Sequence, residues 1–295
     1  MDAVITYVNG DDPLWIKDYE TYAGVPLQTK RYRDWGTLRF LFRSIESNMP
    51  FVDRVFLVVA RESQIPEWVN PETVKVVLHK DFIPADHLPT FNASMIEMFL
   101  HRIPGLGERF LYLNDDIFPV RPVYEDIFFR KGKPAKKMHV HFFALNPFRQ
   151  LCRHSDRLSR KAAGKIPVPY YLRPQHSITP MLKSACEEAF SRCEADIMAT
   201  LTPVRADGNY NQYFFSDYMF HKRLAISKRI SHKHFSLALT TPEKIYAFIS
   251  NPSKNFVCIN DVEMTQERYE SFRDAILKAF AMILPDQSRF EIEGK

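Results

Sequence analysis

The sequence predicts an α/β fold: a Rossmann-like mixed sheet flanked by helices, with a helical or irregular insertion in its second half. Two observations carry this. Short apolar runs alternate with stretches of helical periodicity, the pattern of strands joined by helices. The runs also end in polar, often acidic, clusters: Asn9-Gly10-Asp11-Asp12 after residues 3–8, Asn114-Asp115-Asp116 after residues 110–113, and Asn260-Asp261 after residues 256–259. Ligands of open α/β sheets sit at that end of the strands. Adjacent carboxylates such as Asp115 and Asp116 repel each other and lose hydration unless a cation sits there. The functional reading is a hard-cation site, Mg²⁺ or Mn²⁺, gripping a phosphate; an ordinary strand-to-turn junction also uses Asn and Asp.

Composition sets the outer bounds. The 295 residues suffice for one large domain or two small ones, and 45% hydrophobic residues with 24 Phe and 13 Tyr indicate a globular chain. A net charge of +5 suits anionic ligands such as nucleotide-sugars, polyanionic polymers or a membrane surface, and equally an ordinary soluble surface. Cys152, Cys186, Cys193 and Cys258 show no CxxC spacing and read as thiols in a reducing compartment. Residues 1–20 lack a signal-like apolar core, and no apolar run approaches the roughly 18 residues of a membrane span, so a cytoplasmic protein is expected.

In chain order, residues 3–8 form the first strand and the Asn9-Gly10 turn ends it. Residues 14–30 read as a helix or irregular insert. Leu38, Leu41, Phe42 and Ile45 recur at helical spacing, with Asp34 as a candidate N-cap. Arg31, Arg33 and Asp34 then precede a helix N-terminus, where anions are favoured, although a solvated charged turn is the commoner outcome. Residues 55–59 and 74–78 are two further strands, separated by a loop that holds Gln64. Neither GxGxxG nor GxxxxGK[ST] follows the first strand, which disfavours a dinucleotide or P-loop site. Asn92 is a plausible N-cap for a helix running to about His101, and Asn92, Glu97, His101 and Arg102 stand within reach of a ligand.

Residues 128–165 form a basic insertion, read as a solvated face, with docking of an anionic acceptor or lipid headgroups as the minor alternative. Ser177 and Thr179 are expected to open a helix containing Met181, Leu182, Ala185 and Ala189. His176 would stand just ahead of it, where the helix dipole disfavours the imidazolium and leaves the neutral form a general base needs. Residues 210–220 are aromatic and read as core. Residues 226–250 cannot be ordered, and a closing helix spans about 265–283 with Tyr269, Phe272, Ile276 and Phe280 on one face.

Four blocks resemble the Stealth family of sugar-1-phosphate transferases, which includes bacterial capsule and exopolysaccharide phosphotransferases and the catalytic subunit of N-acetylglucosamine-1-phosphotransferase. The first is Ile5-Thr-Tyr-Val-Asn-Gly-Asp-Asp-Pro13. The second runs from Arg31-Tyr-Arg-Asp34 through Ile65-Pro-Glu-Trp68, Leu88-Pro-Thr-Phe-Asn92 and His101-Arg-Ile-Pro-Gly-Leu106 to Tyr112-Leu-Asn-Asp-Asp116. The third surrounds His176 and the fourth is Cys258-Ile-Asn-Asp261. Asn9 stands where the family often has Asp, and Val262 where an acidic residue is frequent, so only Asn260 and Asp261 carry over from the last block.

The resemblance implies a GT-A-like sheet in a single catalytic domain over 1–295: a nucleotide-sugar-binding half (1–127), the basic insertion (128–165) and a second half completing the active site (166–295). It implies phosphoryl transfer from a nucleotide-diphosphate sugar to a glycan acceptor, chemistry that is mostly positioning plus charge neutralisation. Asp115 and Asp116 would serve the metal and diphosphate, with Asn260 and Asp261 as further ligands. Arg205 would stabilise the transferred phosphate, and His176 would be the base, with Asp12 as its rival. Asn9, Gly10, Arg33, Asp34, Gln64, Asn92 and Arg102 would line the substrate site. Peripheral association with the inner face of a membrane is compatible with this reading. The alternative is a metal-dependent glycosyltransferase that moves the sugar alone.

Overall fold

The structure is a computed structural model describing residues 1–27 and 29–295. Strands β1 (Asp2–Thr6), β2 (Arg54–Val59), β3 (Val74–Leu78) and β4 (Arg109–Asn114) run parallel in the order β4-β1-β2-β3. After Asp115 and Asp116 the chain enters β5 (Ile117–Pro119). Strands β6 (Phe129–Arg130) and β7 (Lys133–Pro134) form a small hairpin, and β8 (Met138–His141) pairs antiparallel with β9 (Tyr171–Pro174). Strand β10 (Thr179–Leu182) runs antiparallel to β4 and completes a five-stranded sheet. The parallel pair β11 (His232–Ser236) and β12 (Phe256–Asn260) joins β5 in a second, three-stranded sheet. This is the mixed α/β sheet architecture that the sequence predicts.

Ten helices are described: α1 (Pro13–Tyr22), α2 (Thr29–Tyr32), α3 (Leu38–Asn48), α4 (Ala93–Phe99), α5 (Pro147–Ala162), α6 (Lys183–Arg192), α7 (Glu194–Met198), α8 (Tyr213–His221), α9 (Pro242–Ser250) and α10 (Gln266–Ile283). Side chains alternate across a strand, and the two cores divide accordingly. Ala3, Ile5, Val55, Leu57, Leu111 and Leu113 pack with Leu41, Phe42 and Ile45 of α3 and with Phe272, Ile276 and Phe280 of α10. Val4, Phe56, Val58, Phe110 and Tyr112 face the other way, onto Met95 and Phe99 of α4, Phe190 of α6 and Phe214, Phe215 and Tyr218 of α8. Strands so enclosed must read as continuous apolar runs, which is why they were legible.

Four local expectations are corrected. Within the 14–30 stretch, α1 begins at Pro13, with Asp12 as its N-cap; Gln28 lies outside the described residues. Helix α3 starts at Leu38 rather than after Asp34, and the Asp34 carboxylate instead accepts the Gly36 N–H at 2.9 Å. Residues 179–182 form a strand, because pairing of Pro180 with Leu111 and Met181 with Phe110 outweighs the weak local helix signal. His176 therefore sits in a loop between β9 and β10, and the helix-dipole argument for it lapses. Within the basic 128–165 segment, Lys136 and Arg160 are buried: Lys136 binds the Ser177 carbonyl and Thr179 hydroxyl, and Arg160 pairs with Asp156 at 2.8 Å. The four cysteines are all free and buried.

The C-terminal end is fastened by an ion pair. Arg43 of α3 donates Nε and Nη2 to the two carboxylate oxygens of Glu291, each at 2.8 Å, in a buried position. Burial alone would raise the Glu291 pKa, but the bonds from Arg43 and Ser288 outweigh it and hold it below the usual range. A depressed carboxylate stabilises the fold above its unfolded pKa of about 4.3. That stability is lost as pH falls through the lower folded value. Removing one partner of a buried pair costs about 3 kcal/mol. Glu291→Ala is therefore expected to lower the urea midpoint strongly at pH 7 and progressively less below pH ~4. A mutant penalty that does not shrink in acid would show that the pair is not the cause.

Candidate active site

The carboxyl ends of β1, β4 and β12 open on one cavity of about 440 Å³. What makes it single is the two-residue turn Asp115-Asp116, which carries the chain from the large sheet to the small one. The Ile259 N–H donates to the Asp116 carbonyl at 2.9 Å, so the acidic ends of β4 and β12 meet there. Asp34, Asp115, Asp116, Asn260 and Asp261 all line the cavity.

The acidic wall carries unbalanced charge. Desolvation, then repulsion from Asp116 and Asp34, pushes the Asp115 pKa up to about 7. Asp116 Oδ1 is buried and accepts no hydrogen bond, although buried polar atoms are nearly always satisfied. Asp261 accepts from Trp35 Nε1 at 3.1 Å and from the Val262 N–H at 2.6 Å. Burial raises its pKa. Repelling carboxylates with a spare oxygen fit a divalent cation that prefers oxygen donors. A second donor set is softer: Asp116, His176 and Cys258 hold ligand atoms within 4.8 Å of one another. Burial and the Asp116 charge hold Cys258 as the thiol, a weak ligand, so the oxygen set is the better fit.

Three arginines, Arg31, Arg33 and Arg205, line the same cavity. Burial and the neighbouring Arg205 charge lower the Arg31 pKa, so an anion between these two arginines would relieve their repulsion. Arg33 lies over the Tyr269 ring at 4.5 Å and 3.8 Å from Asp261 Oδ1; its Nη1 is buried without a hydrogen bond. His176 stands beside Asp116, Nε2 to Oδ2 3.5 Å, on a loop held by Gln175, whose side chain bonds the Ile230 backbone and His232.

The structure thus brings together Arg33, Asp34, Asp115, Asp116, Arg205, Asn260 and Asp261 in the cavity lining, with His176 against Asp116, and leaves Asn9, Gly10, Asp12, Gln64, Asn92 and Arg102 out of that lining. Asp12 does not line the cavity. Its carboxylate caps α1 through the Leu14 N–H and accepts from Ser63 and Gln64. Burial would raise its pKa, yet these bonds lower it, which makes it a poor base. Gln64 is buried and spends its amide on the Asn9 backbone and Asp12; with Asn9 it lines a recess of about 140 Å³ that adjoins the cavity at Tyr7, Asp34 and Leu38. Gly10 packs on α2: its N–H bonds the Tyr32 carbonyl, and a Cβ would lie 2.2 Å from that oxygen. Arg102 is at the amino-terminal end of β4, stacked on Phe99 and Phe190 and paired with Glu194 at 3.2 Å. Glu97 and His101 are buried in the core, Glu97 on Tyr112 and Gln212, His101 between Phe190 and Phe215.

Asn92 acts at one remove. Its oxygen caps α4 and its amide donates to the carbonyls of Thr202 and Val204 and to Asn209, tying down the loop that carries Arg205. Asn209, buried in the same network, gave no sequence signal. Asn92→Ala is expected to cost about 3 kcal/mol, from the lost cap and unpaired buried partners. It is also expected to lower turnover about tenfold by loosening Arg205. Urea unfolding and steady-state kinetics check the two parts; unchanged stability would remove this role.

Comparison with known proteins finds similar sequences. Residues 31–137 match the family model described as Stealth protein CR2, conserved region 2, which covers Arg31, Arg33, Asp34, Asp115 and Asp116. The receptor polysaccharide phosphotransferase WefC of Streptococcus oralis is 28% identical over 99% of this chain and 99% of its own length. The capsular polysaccharide phosphotransferase WcwK of Streptococcus pneumoniae is 27% identical over 99% of each. Among solved structures, an active-site mutant of LgtC aligns over 94% of this chain and 96% of its own with a TM-score of 0.43 and 12% identity. With the region 2 match over residues 31–137 and phosphotransferase relatives aligned along its whole length, the chain is similar to the Stealth proteins.

Proposed function

We propose that this protein transfers a sugar-1-phosphate from a nucleotide-diphosphate sugar to a hydroxyl of an acceptor glycan in capsule or exopolysaccharide synthesis. The acceptor oxygen attacks the sugar-bearing β-phosphorus, and the bond from that phosphorus to the bridging oxygen breaks. A phosphodiester forms and nucleoside monophosphate leaves, while His176 Nε2 takes the hydroxyl proton. One observation carries the reading: within a single cavity, an acceptor atom, Asp116 Oδ1, and a donor atom, Arg33 Nη1, are both buried and unsatisfied. A cation-bound diphosphate would satisfy both.

Asp115 and Asp116, with Asp261 and Asn260 beside them, would hold Mg²⁺ or Mn²⁺, which when bound neutralises charge on the diphosphate. Arg31 and Arg205, which line the same cavity, would grip the transferred phosphate, and Arg205 offers the planar fork suited to two phosphate oxygens. Asp116 orients the imidazole. Residues 1–295 act as one catalytic unit, because the cavity is lined both by residues before 120 and by residues after 200. No described helix is long and apolar enough to cross a membrane; we place the enzyme in the cytoplasm at the inner face of the membrane.

The test is a panel of nucleotide-sugars with Mg²⁺ and a glycan acceptor. Nucleoside monophosphate as the by-product supports the reading. Nucleoside diphosphate would make the protein a glycosyltransferase that moves the sugar alone, and no by-product from any donor would make it a binding protein.

A further inference from the structure

The charge of this chain is unevenly distributed. Between residues 127 and 186 there are thirteen Lys and Arg but only one acidic residue, Asp156, giving net +12; the remainder of the chain is net −7. Asp156 is buried and already paired with Arg160 and His221, so it neutralises nothing at the surface. On α5, Arg149, Arg153 and Arg157 recur every four residues and share one side of the helix, and Lys165 follows in the next loop. None of these four forms a salt bridge among the described residues, whereas Arg160 and Lys161 do.

The same region presents large apolar side chains to solvent. Val140, Phe142, Phe143, Leu145 and Phe148 are exposed within nine residues, Phe143 at 71% and Leu145 at 79%; Ile166, before β9, is at 80%. They are held on a framework rather than on a loose tail. Strands β8 and β9 pair through His139–Arg173 and His141–Tyr171, Phe142 meets Tyr170 at 6.2 Å, and Tyr171 donates its hydroxyl to the Phe143 carbonyl. The Asn146 side chain caps α5 by accepting the Arg149 N–H. Exposed aromatic and leucine tips beside a stripe of uncompensated arginines fit a surface that is apolar within and anionic at its boundary.

We propose that this face docks the protein on an anionic lipid bilayer. Phe142, Phe143 and Leu145 insert below the headgroups, and Arg149, Arg153, Arg157 and Lys165 lie against the phosphates. The ribbon also fixes orientation: β9 runs directly into Gln175 and His176, so docking sets the proposed base close to the membrane side of the molecule. The proposal does not depend on the reaction. It adds to a general membrane location the surface that performs the docking.

Vesicle co-sedimentation of the full chain tests it. Binding to phosphatidylcholine vesicles containing about one-third phosphatidylglycerol is expected to be at least tenfold tighter than to phosphatidylcholine alone, and to weaken with added salt. Phe142→Ser, Phe143→Ser and Leu145→Ser combined should lower binding at least tenfold. Arg149→Gln, Arg153→Gln and Arg157→Gln should each lower it roughly fivefold. Thermal stability and monophosphate release from soluble substrates should be unchanged in all of them. Leu145→Trp should show emission quenched by brominated lipid. Equal binding to both vesicle types, no binding, or full binding by the triple serine variant would overturn the proposal. So would a triple serine variant that instead dissociates a dimer of the wild-type chain, which would make the face an interface between two copies.

Discussion

Asp116→Asn is expected to lower kcat/KM by about 10³-fold, the scale of losing one charge that neutralises a phosphoryl transition state. The substitution is nearly isosteric and leaves untouched the Asp116 carbonyl that joins β4 to β12 through Ile259. It removes a carboxylate whose repulsion helps push Asp115 up to about 7 and whose Oδ1 is unsatisfied. The cation-free variant should therefore be at least as stable as the wild type, while the rise in Tm that Mg²⁺ gives the wild type should disappear. A site maintained for structure would lose stability instead. Retained activity, or an unaltered Mg²⁺-dependent rise in Tm, would remove Asp116 from the centre of the site.

His176→Ala should reduce kcat by about 10³-fold and leave donor affinity within about twofold. His176 Nε2 lies 3.5 Å from Oδ2 of Asp116, which lines the cavity, and His176 is not in the cavity lining that holds Arg31, Arg33 and Arg205. Its loss therefore removes proton transfer and not donor binding. His176→Gln, which keeps a hydrogen-bonding group without a useful base, should behave like the alanine variant; recovery of turnover by glutamine would indicate a positioning role. Donor binding measured directly by calorimetry separates these outcomes, and a large loss of affinity in either variant would refute the base assignment. Asp12 is no substitute, since both its oxygens already accept hydrogen bonds and its pKa is lowered.

Several site candidates do not line the cavity. Asn9, Gly10 and Asp12 follow β1, and Gln64 follows β2, so all four lie near the carboxyl ends of the strands as topology demands. Nearness along the chain does not say which way a side chain turns. Gln64 turned inward and consumed the Asn9 backbone and Asp12. Arg102 precedes β4 in the chain and is stacked on Phe99 and Phe190, outside the cavity lining. Asn92 was identified correctly as an N-cap, but its amide was needed for the Arg205 loop.

The sequence by itself determined the buried strands β1 to β4 and β12, whose apolar runs are covered on both faces, and it determined that β1, β4 and β12 are followed by carboxylates. It also held the family's motif residues and the uneven spread of charge. Only the tertiary structure decided that Asp116 and Asp261, 145 positions apart, share one cavity, since a two-residue turn switches the chain between sheets and an Ile259 hydrogen bond closes the gap. It alone decided that residues 179–182 are a strand, because β4 offered them a pairing edge. Local propensity is worth fractions of a kcal/mol per residue, on the order of 0.5, while long-range pairing and burial decide the balance where local signals are weak.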